Sequence, residues 1–306
     1  MTIGLQGFFT IKIRQPCGTI RREYRFPNLI LNNGLNGIGT NGTSWVSVIA
    51  LGTDTTPPDA SQTGLISLGP SSSSNNSSTT GFVAGPPPYS WIRYSKRFAQ
   101  GTATGTWSEV GIGRTGSNLW SRSLILDGGG SPLPITVLAI EIVDIEYELR
   151  AYPSIVDATG TRTISTVDYD YIVRPAGLSA YGTHAADSLV SGNWMSAGAH
   201  TYLIGGDGAI GAYNAFGVTG NTTGQFYKTP SVASYASGSY TKTITYSFSI
   251  SECNVSTGLL KSFQYYYMNT GNNSYWQYAC QFTPPIPKDN TKTLSLTFSQ
   301  TWARRP

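Results

Sequence analysis

The sequence predicts an all-β protein: two tandem antiparallel β-sandwich domains related by internal duplication, each with at most one short helix. Three observations predict it. Short apolar-alternating runs recur roughly every 8 to 15 residues between Gly, Asn, Ser and Pro turns, the pattern of packed antiparallel sheets. Only 12% of residues are charged while 12% are aromatic, so the chain holds apolar area for a core but few charged faces. Finally, five segments recur in the same order and at similar spacing. Residues 94–98, 105–112, 119–122, 134–137 and a strand closing at Tyr152-Pro153 are matched by 245–250, 258–263, 274–278, 285–288 and 293–302. These place a first domain at 1–153, a linker at 154–161 and a second domain at 162–306. At 306 residues, each half is large enough to bury its own core.

Residues 8–14 and 20–26 read as a hairpin turning at Pro16-Cys17-Gly18, with Phe9, Ile11 and Ile13 on one face. A short helix is expected over 28–38, following Pro27 and ending on glycine, and a strand over 45–52. The Ser/Asn/Thr tract at 71–80 has nothing with which to pack a core, and is expected to form an exposed loop. Residues 135–147 form the strongest strand pattern, but its apolar phase shifts from one side to the other, as at a bulge or a sheet edge. Residues 162–173 suggest a strand pair, and 177–200 a second helix in the slot that 29–38 fills in the first half. The closing run alternates cleanly: Leu294, Leu296, Phe298 and Trp302 turn inward, leaving a Thr/Ser face for solvent or a partner.

The N-terminus lacks a basic and apolar leader, and no run approaches the roughly 18 apolar residues of a membrane span, so neither secretion nor membrane insertion is expected. The net charge of +4 is scattered. Its densest cluster, Arg14, Arg21, Arg22 and Arg25 around Glu23, reads as a solvated strand face or subunit contact, and no nucleic-acid partner is expected. Cys17, Cys253 and Cys280 lack metal-ligand spacing. Cys253 and Cys280 fall on neighbouring strands and are expected to be buried free thiols.

Little in the sequence assembles into catalytic chemistry. The two histidines, His184 and His200, have no nucleophile in a Gly-x-Ser-x-Gly elbow to serve. Asp168 with Asp170, and Glu141 with Glu146 or Glu148, are carboxylate pairs of the kind glycosidases use, but such pairs also need a cleft. Gly205-Gly206-Asp207-Gly208 lacks the Lys-Ser/Thr ending of a phosphate loop and reads as a turn. No enzyme activity, cofactor or metal is expected. The best recognition candidate is the aromatic run carrying Tyr265, Tyr266, Tyr267, Tyr275 and Trp276, rigid amphipathic side chains suited to a subunit contact or to sugar stacking.

Asn28-Leu29-Ile30-Leu31-Asn32-Asn33-Gly34-Leu35, with Leu51-Gly52-Thr53 and the Thr/Pro loop at 55–59, resembles the opening of a group of tailed-bacteriophage tail and baseplate proteins. Thr106-Trp107-Ser108-Glu109-Val110-Gly111-Ile112-Gly113, Leu119-Trp120-Ser121-Arg122-Ser123-Leu124-Ile125 and Pro134-Ile135-Thr136-Val137-Leu138 are similar to the same group. So is the ending Pro284-Pro285-Ile286-Pro287-Lys288 with Leu294-Ser295-Leu296-Thr297-Phe298-Ser299. The likeness covers most of 24–153 and, more faintly, 245–302. It implies a non-enzymatic, β-rich virion protein of the tail tip, baseplate or fibre-attachment complex, assembled in the host cytoplasm as a symmetric oligomer. Its partners would be copies of itself and neighbouring virion proteins. The alternatives are a receptor- or carbohydrate-binding fibre tip meeting a host glycan or protein, and a capsid decoration or head-fibre protein.

Overall fold

The computed structural model describes the backbone of residues 2–40, 44–176, 185–191, 201–213, 218–224, 226–268 and 274–305. Side chains are described throughout these except at 191, 201–202, 226–227, 266–268 and 274–277. The fold is all-β, as expected, with two short helices among the described residues. The first half holds β1 (Thr2–Arg14), β2 (Ile20–Ile30), α1 (Asn32–Thr40), β3 (Val48–Gly52), β4 (Leu68–Ser72), β5 (Asn75–Val83) and β6 (Tyr89–Phe98). It continues through β7 (Gly105–Trp107), β8 (Glu109–Thr115), β9 (Asn118–Leu124), β10 (Ile135–Val137) and β11 (Ile142–Tyr152). The second holds β12 (Ala158–Ile164), β13 (Val167–Ala176), α2 (Ala185–Ser191), β14 (Thr201–Gly206), β15 (Phe226–Lys228) and β16 (Ser231–Val232). It ends with β17 (Thr241–Phe248), β18 (Leu259–Met268), β19 (Ser274–Pro287) and β20 (Leu294–Arg304).

In the first half, the strands pair in the order β5-β6-β11-β1-β2-β9-β8-β3-β4, all antiparallel. The chain turns a corner at the end of β2, where only Leu29 and Ile30 pair with β9, so the sheet folds over its own apolar face. Phe9, Ile11 and Ile13 fill that space beside Phe26, Ile92, Trp120 and Tyr147, all of them buried. Trp120 Nε1 donates to the Tyr147 hydroxyl at 2.6 Å, giving the indole the partner a buried N–H requires.

The second half pairs in the corresponding order, β16-β17-β20, then a break, then β12-β13-β19-β18-β14-β15. Its β17·β20 ladder runs in the register of β6·β11: Phe248 stands opposite Leu294 as Phe98 stands opposite Val143. What corresponds to the β11·β1 ladder is missing among the described residues. Instead β20 joins the first half, its end (Thr301 to Arg304) lying parallel to Thr2 to Leu5 of β1. The halves are thus linked by a continuous ladder, and the expected linker contributes residues 158–161 to β12.

The helices bind the halves further. α1 packs on β9, while its Gly39 carbonyl accepts from Lys242 Nζ of β17 at 3.3 Å and its Asn36 Oδ1 from the Tyr235 hydroxyl at 2.8 Å. α2 packs on β19 and across to β6 and β11, where Tyr94 donates to Asp187 Oδ1 at 2.6 Å and the Ala186 amide to Ser90 Oγ at 2.7 Å. Burial pushes the Lys242 ammonium down to about 8. Because the unfolded chain keeps its proton up to the ordinary lysine value, wild-type stability rises with pH from about 8 toward 10.5. Lys242→Met is expected to raise stability at neutral pH by roughly 1–3 kcal/mol, a gain that fades across that window in denaturation series.

Four local expectations need correction. The first helix starts at Asn32, because Leu29 and Ile30 extend β2 to reach β9. The expected strand over 45–52 is shorter, since β3 begins only at Val48. The 71–80 tract is exposed but much of it is strand: β5 is an edge that gains its order from backbone pairing with β6, which composition does not report. The phase shift in 135–147 is neither bulge nor edge. β10 ends at Val137, a turn spans 138–141, and β11 is an interior strand alternating Val143, Ile145, Tyr147 and Leu149 inward.

Candidate assembly surface

The outer face of β6-β11-β1-β2 carries an ionic lattice. Asp144 accepts from Arg14 Nε at 2.8 Å and from Arg97 Nε at 2.6 Å. Glu148 accepts from Arg25 at 3.1 Å, Arg93 at 2.6 Å and Arg150 at 2.5 Å, and Arg21 pairs with Glu141 at 2.6 Å. Three of the four arginines in the N-terminal cluster are therefore matched by carboxylates of, or next to, β11. Glu141 and Glu148 are held as ion-pair acceptors. Glu146 joins them through Arg93 at 3.7 Å.

Burial opposes ionisation of Asp144 and Glu148, yet hydrogen bonds from Arg97 and Arg14 to the former, and from Arg150 and Arg93 to the latter, outweigh it. Both carboxyls are held below their ordinary values. Depressed acidic groups stabilise fully above the unfolded value, about 4, and this is lost as pH falls through the folded one. Acid denaturation followed by circular dichroism is expected to show stability falling below about pH 4, and Glu148→Gln is expected to flatten that slope. An unchanged slope would mean the lattice is not formed.

On β17 and β20, which stand where β6 and β11 stand in the first half, the charges are gone. Arg97 opposite Asp144, Ser95 opposite Glu146 and Arg93 opposite Glu148 correspond in register to Ser247 opposite Ser295, Thr245 opposite Thr297 and Thr243 opposite Ser299. These hydroxyls pair across the strands at 3.1, 2.9 and 2.9 Å, and Thr2 meets Thr301 at 2.7 Å. The result is a neutral hydroxyl ladder on β17 and β20, exposed at Ser247, Ser295, Thr297 and Ser299 and half-buried at Thr243 and Thr245, continued onto Thr2 of β1. Leu294, Leu296 and Trp302 are buried beneath it, as the alternation predicts, with Phe298 half-buried.

The aromatic candidate divides. Tyr265 is not on a surface: it is buried in the second core, with Phe298 at 4.4 Å and Tyr278 at 5.6 Å between ring centroids. Ser262, Phe263, Gln264 and Tyr265 are all buried in succession, so this part of the strand does not show the alternation between core and surface that the run suggested. Tyr266 and Tyr267 lie in β18 and Tyr275 and Trp276 in β19, with side chains outside the described set. His184 and His200 also lie outside the described residues.

Asp168 and Asp170 sit on the exposed β12·β13 hairpin and accept from Thr163 and Thr161, each at 2.6 Å, so the pair is occupied by cross-strand hydroxyls. Asp207 likewise serves its turn, accepting from the Asn221 amide at 2.7 Å and side chain at 2.8 Å. Cys253 and Cys280 are buried free thiols, both pushed up to about 12 by burial, and Cys17 is exposed. Among the described residues no group of three or more His, Cys, Asp or Glu side chains is placed to hold a metal ion, and no helix is long and apolar enough to cross a membrane.

Sequence reasoning identified the Thr/Ser face of β20 but missed its other half on β17. The alternation Thr243-Ile244-Thr245-Tyr246-Ser247-Phe248 was the available signal. No family model, no curated protein and no solved structure matches the chain, so the reading of this surface rests on its own residues.

Proposed function

We propose that this chain is a structural subunit that assembles through flat neutral strand faces, serving as a scaffold in the tail tip, baseplate or fibre-attachment complex of a tailed phage. The observation that carries the assembly role is the hydroxyl ladder. On one sheet face the protein sets buried carboxylates under partly exposed arginines; at the corresponding positions of the other half it places short, uncharged groups. Large protein contacts disfavour desolvating charge, and small hydroxyls permit close approach. The tail location comes from the sequence likeness of 24–153 and 245–302. The matching strand orders are what two uses of one folding unit would leave, an economy natural to a building block.

Partners on this reading are further copies of the chain and neighbouring virion proteins. Cryo-electron microscopy of particles of the phage that encodes it is expected to show several symmetric copies around the tail axis with the ladder covered. Density on the head, or a chain absent from particles, would overturn the tail assignment. Thr245→Lys with Thr297→Lys provides a separate test of the face. Thr297 is exposed and Thr245 half-buried, and the two lysines would stand opposite each other, so folding stability is expected to fall by no more than about 1 kcal/mol while incorporation into particles is lost.

A further inference from the structure

The break in the second half's strand order is a cleft with two open walls. One is the side of β20 away from β17, along residues 294–298. The other is the side of β12 away from β13. Neither has a strand partner among the described residues. In the first half the corresponding strands, β11 and β1, pair over eleven positions and leave no gap. In the second, β20 is drawn toward β1 at its far end and β12 stands away. Between them lies a cavity of about 580 Å³ whose lining includes Ile164, Tyr171, Phe282, Leu296 and Phe298.

From this we propose that the seam is a receptor for an extended segment of another polypeptide, which adds as a strand to the edge of β20 and is closed over by β12. Two features set the chemistry of that segment. The floor is apolar and aromatic, and strand side chains alternate, so every second residue must be apolar and the intervening ones small and polar, like the ladder beside them. Arg162 supplies the second. It stands opposite Tyr169 on the inner side of β12 with Ala158 and Ile164, lines the cavity, and makes no ion pair among the described residues. A carboxylate on the incoming strand answers it. The seven residues of β12 match a segment of about seven residues, roughly 23 Å long. A compact small molecule would fill the volume but leave both rows of backbone donors and acceptors unmet. The inference rests on the open strand edges, the cavity between them and Arg162, and holds whether or not the hydroxyl ladder is a contact.

Selection of linear peptides from a displayed library against the full chain tests it, with counter-selection on Ala158→Trp, which fills the cavity from the rim of β12. Enriched sequences are expected to alternate apolar and polar residues, to carry Asp or Glu, and to bind Ala158→Trp at least tenfold more weakly. Arg162→Glu is expected to reverse the preference, so that the same peptides bind once their acid is replaced by lysine. Hydrogen exchange of the unbound chain is expected to be fast at 158–164 and 294–298 along the open sides, and slowed by a selected peptide. Three results would overturn the proposal. The first is slow exchange at both walls without peptide, meaning that β12 and β20 pair directly. The second is no peptide distinguishing the wild type from Ala158→Trp. The third is an oligomer that Ala158→Trp dissociates, which assigns the seam to a second copy of this chain.

Discussion

Glu109→Ala is expected to destabilise the protein by about 3–5 kcal/mol, read as a shift in urea midpoint. Glu109 at the start of β8 and Arg122 in β9 are both fully buried and meet at 2.7 Å. Further hydrogen bonds tie both side chains to their surroundings. Arg122 donates to Gln62 Oε1 at 2.8 Å and to the Thr56 carbonyl at 2.9 Å, and Glu109 Oε1 accepts the Ser67 amide at 3.0 Å. Truncating the carboxylate strands a guanidinium out of water with two neutral acceptors, and burying such a charge is among the costliest single changes. The pair also holds the loop between β3 and β4 at three points, so exchange of the Ser67 amide is expected to accelerate. Glu109→Leu combined with Arg122→Met removes both charges together and is expected to cost far less than either of these substitutions alone. The resulting double-mutant cycle isolates the coupling. A single-mutant cost below about 1 kcal/mol would mean that water reaches the pair.

That pair shows where the sequence was legible and where it was not. Each residue is a lone charge inside an apolar run, Glu109 before Val110 and Ile112, Arg122 after Leu119 and Trp120. Opposite lone charges in consecutive apolar strands are the signature of a buried bridge, and it went unread because pairing of β8 with β9 was needed to bring them together. Local alternation, by contrast, was enough for the inward faces of β1 and β20. The edge strand β5 escaped notice because its order comes from the backbone of β6 and not from its own side chains. The parallel join of β1 to β20 has no local signal at all. Thr2 and Thr301 become neighbours only when the two halves close.

That closure makes Trp302→Ala the second large expected effect, roughly 3–5 kcal/mol. Trp302 is 1% exposed near the end of β20, where it pairs with Ile3. Its Nε1 donates to the Leu35 carbonyl of α1 at 2.8 Å, and Tyr235 stacks on it at 5.8 Å between centroids. One side chain therefore touches the first half's helix, lies under the inter-half ladder and packs on the segment before β17. Arg304 reinforces the join, donating to the Ile30 carbonyl and to Asn32 Oδ1. Independent sandwiches would feel the substitution in one half only. Because β20 completes the sheet of β1 and each helix packs against both halves, the wild type is expected to unfold in one transition at both 45–152 and 158–300. In Trp302→Ala the join is the weakest element, and the two halves are expected to separate into two transitions. Hydrogen exchange along a urea series, resolved by segment, distinguishes these outcomes. Two transitions already present in the wild type would mean that the parallel ladder and the helices couple the halves too weakly to make them one cooperative unit.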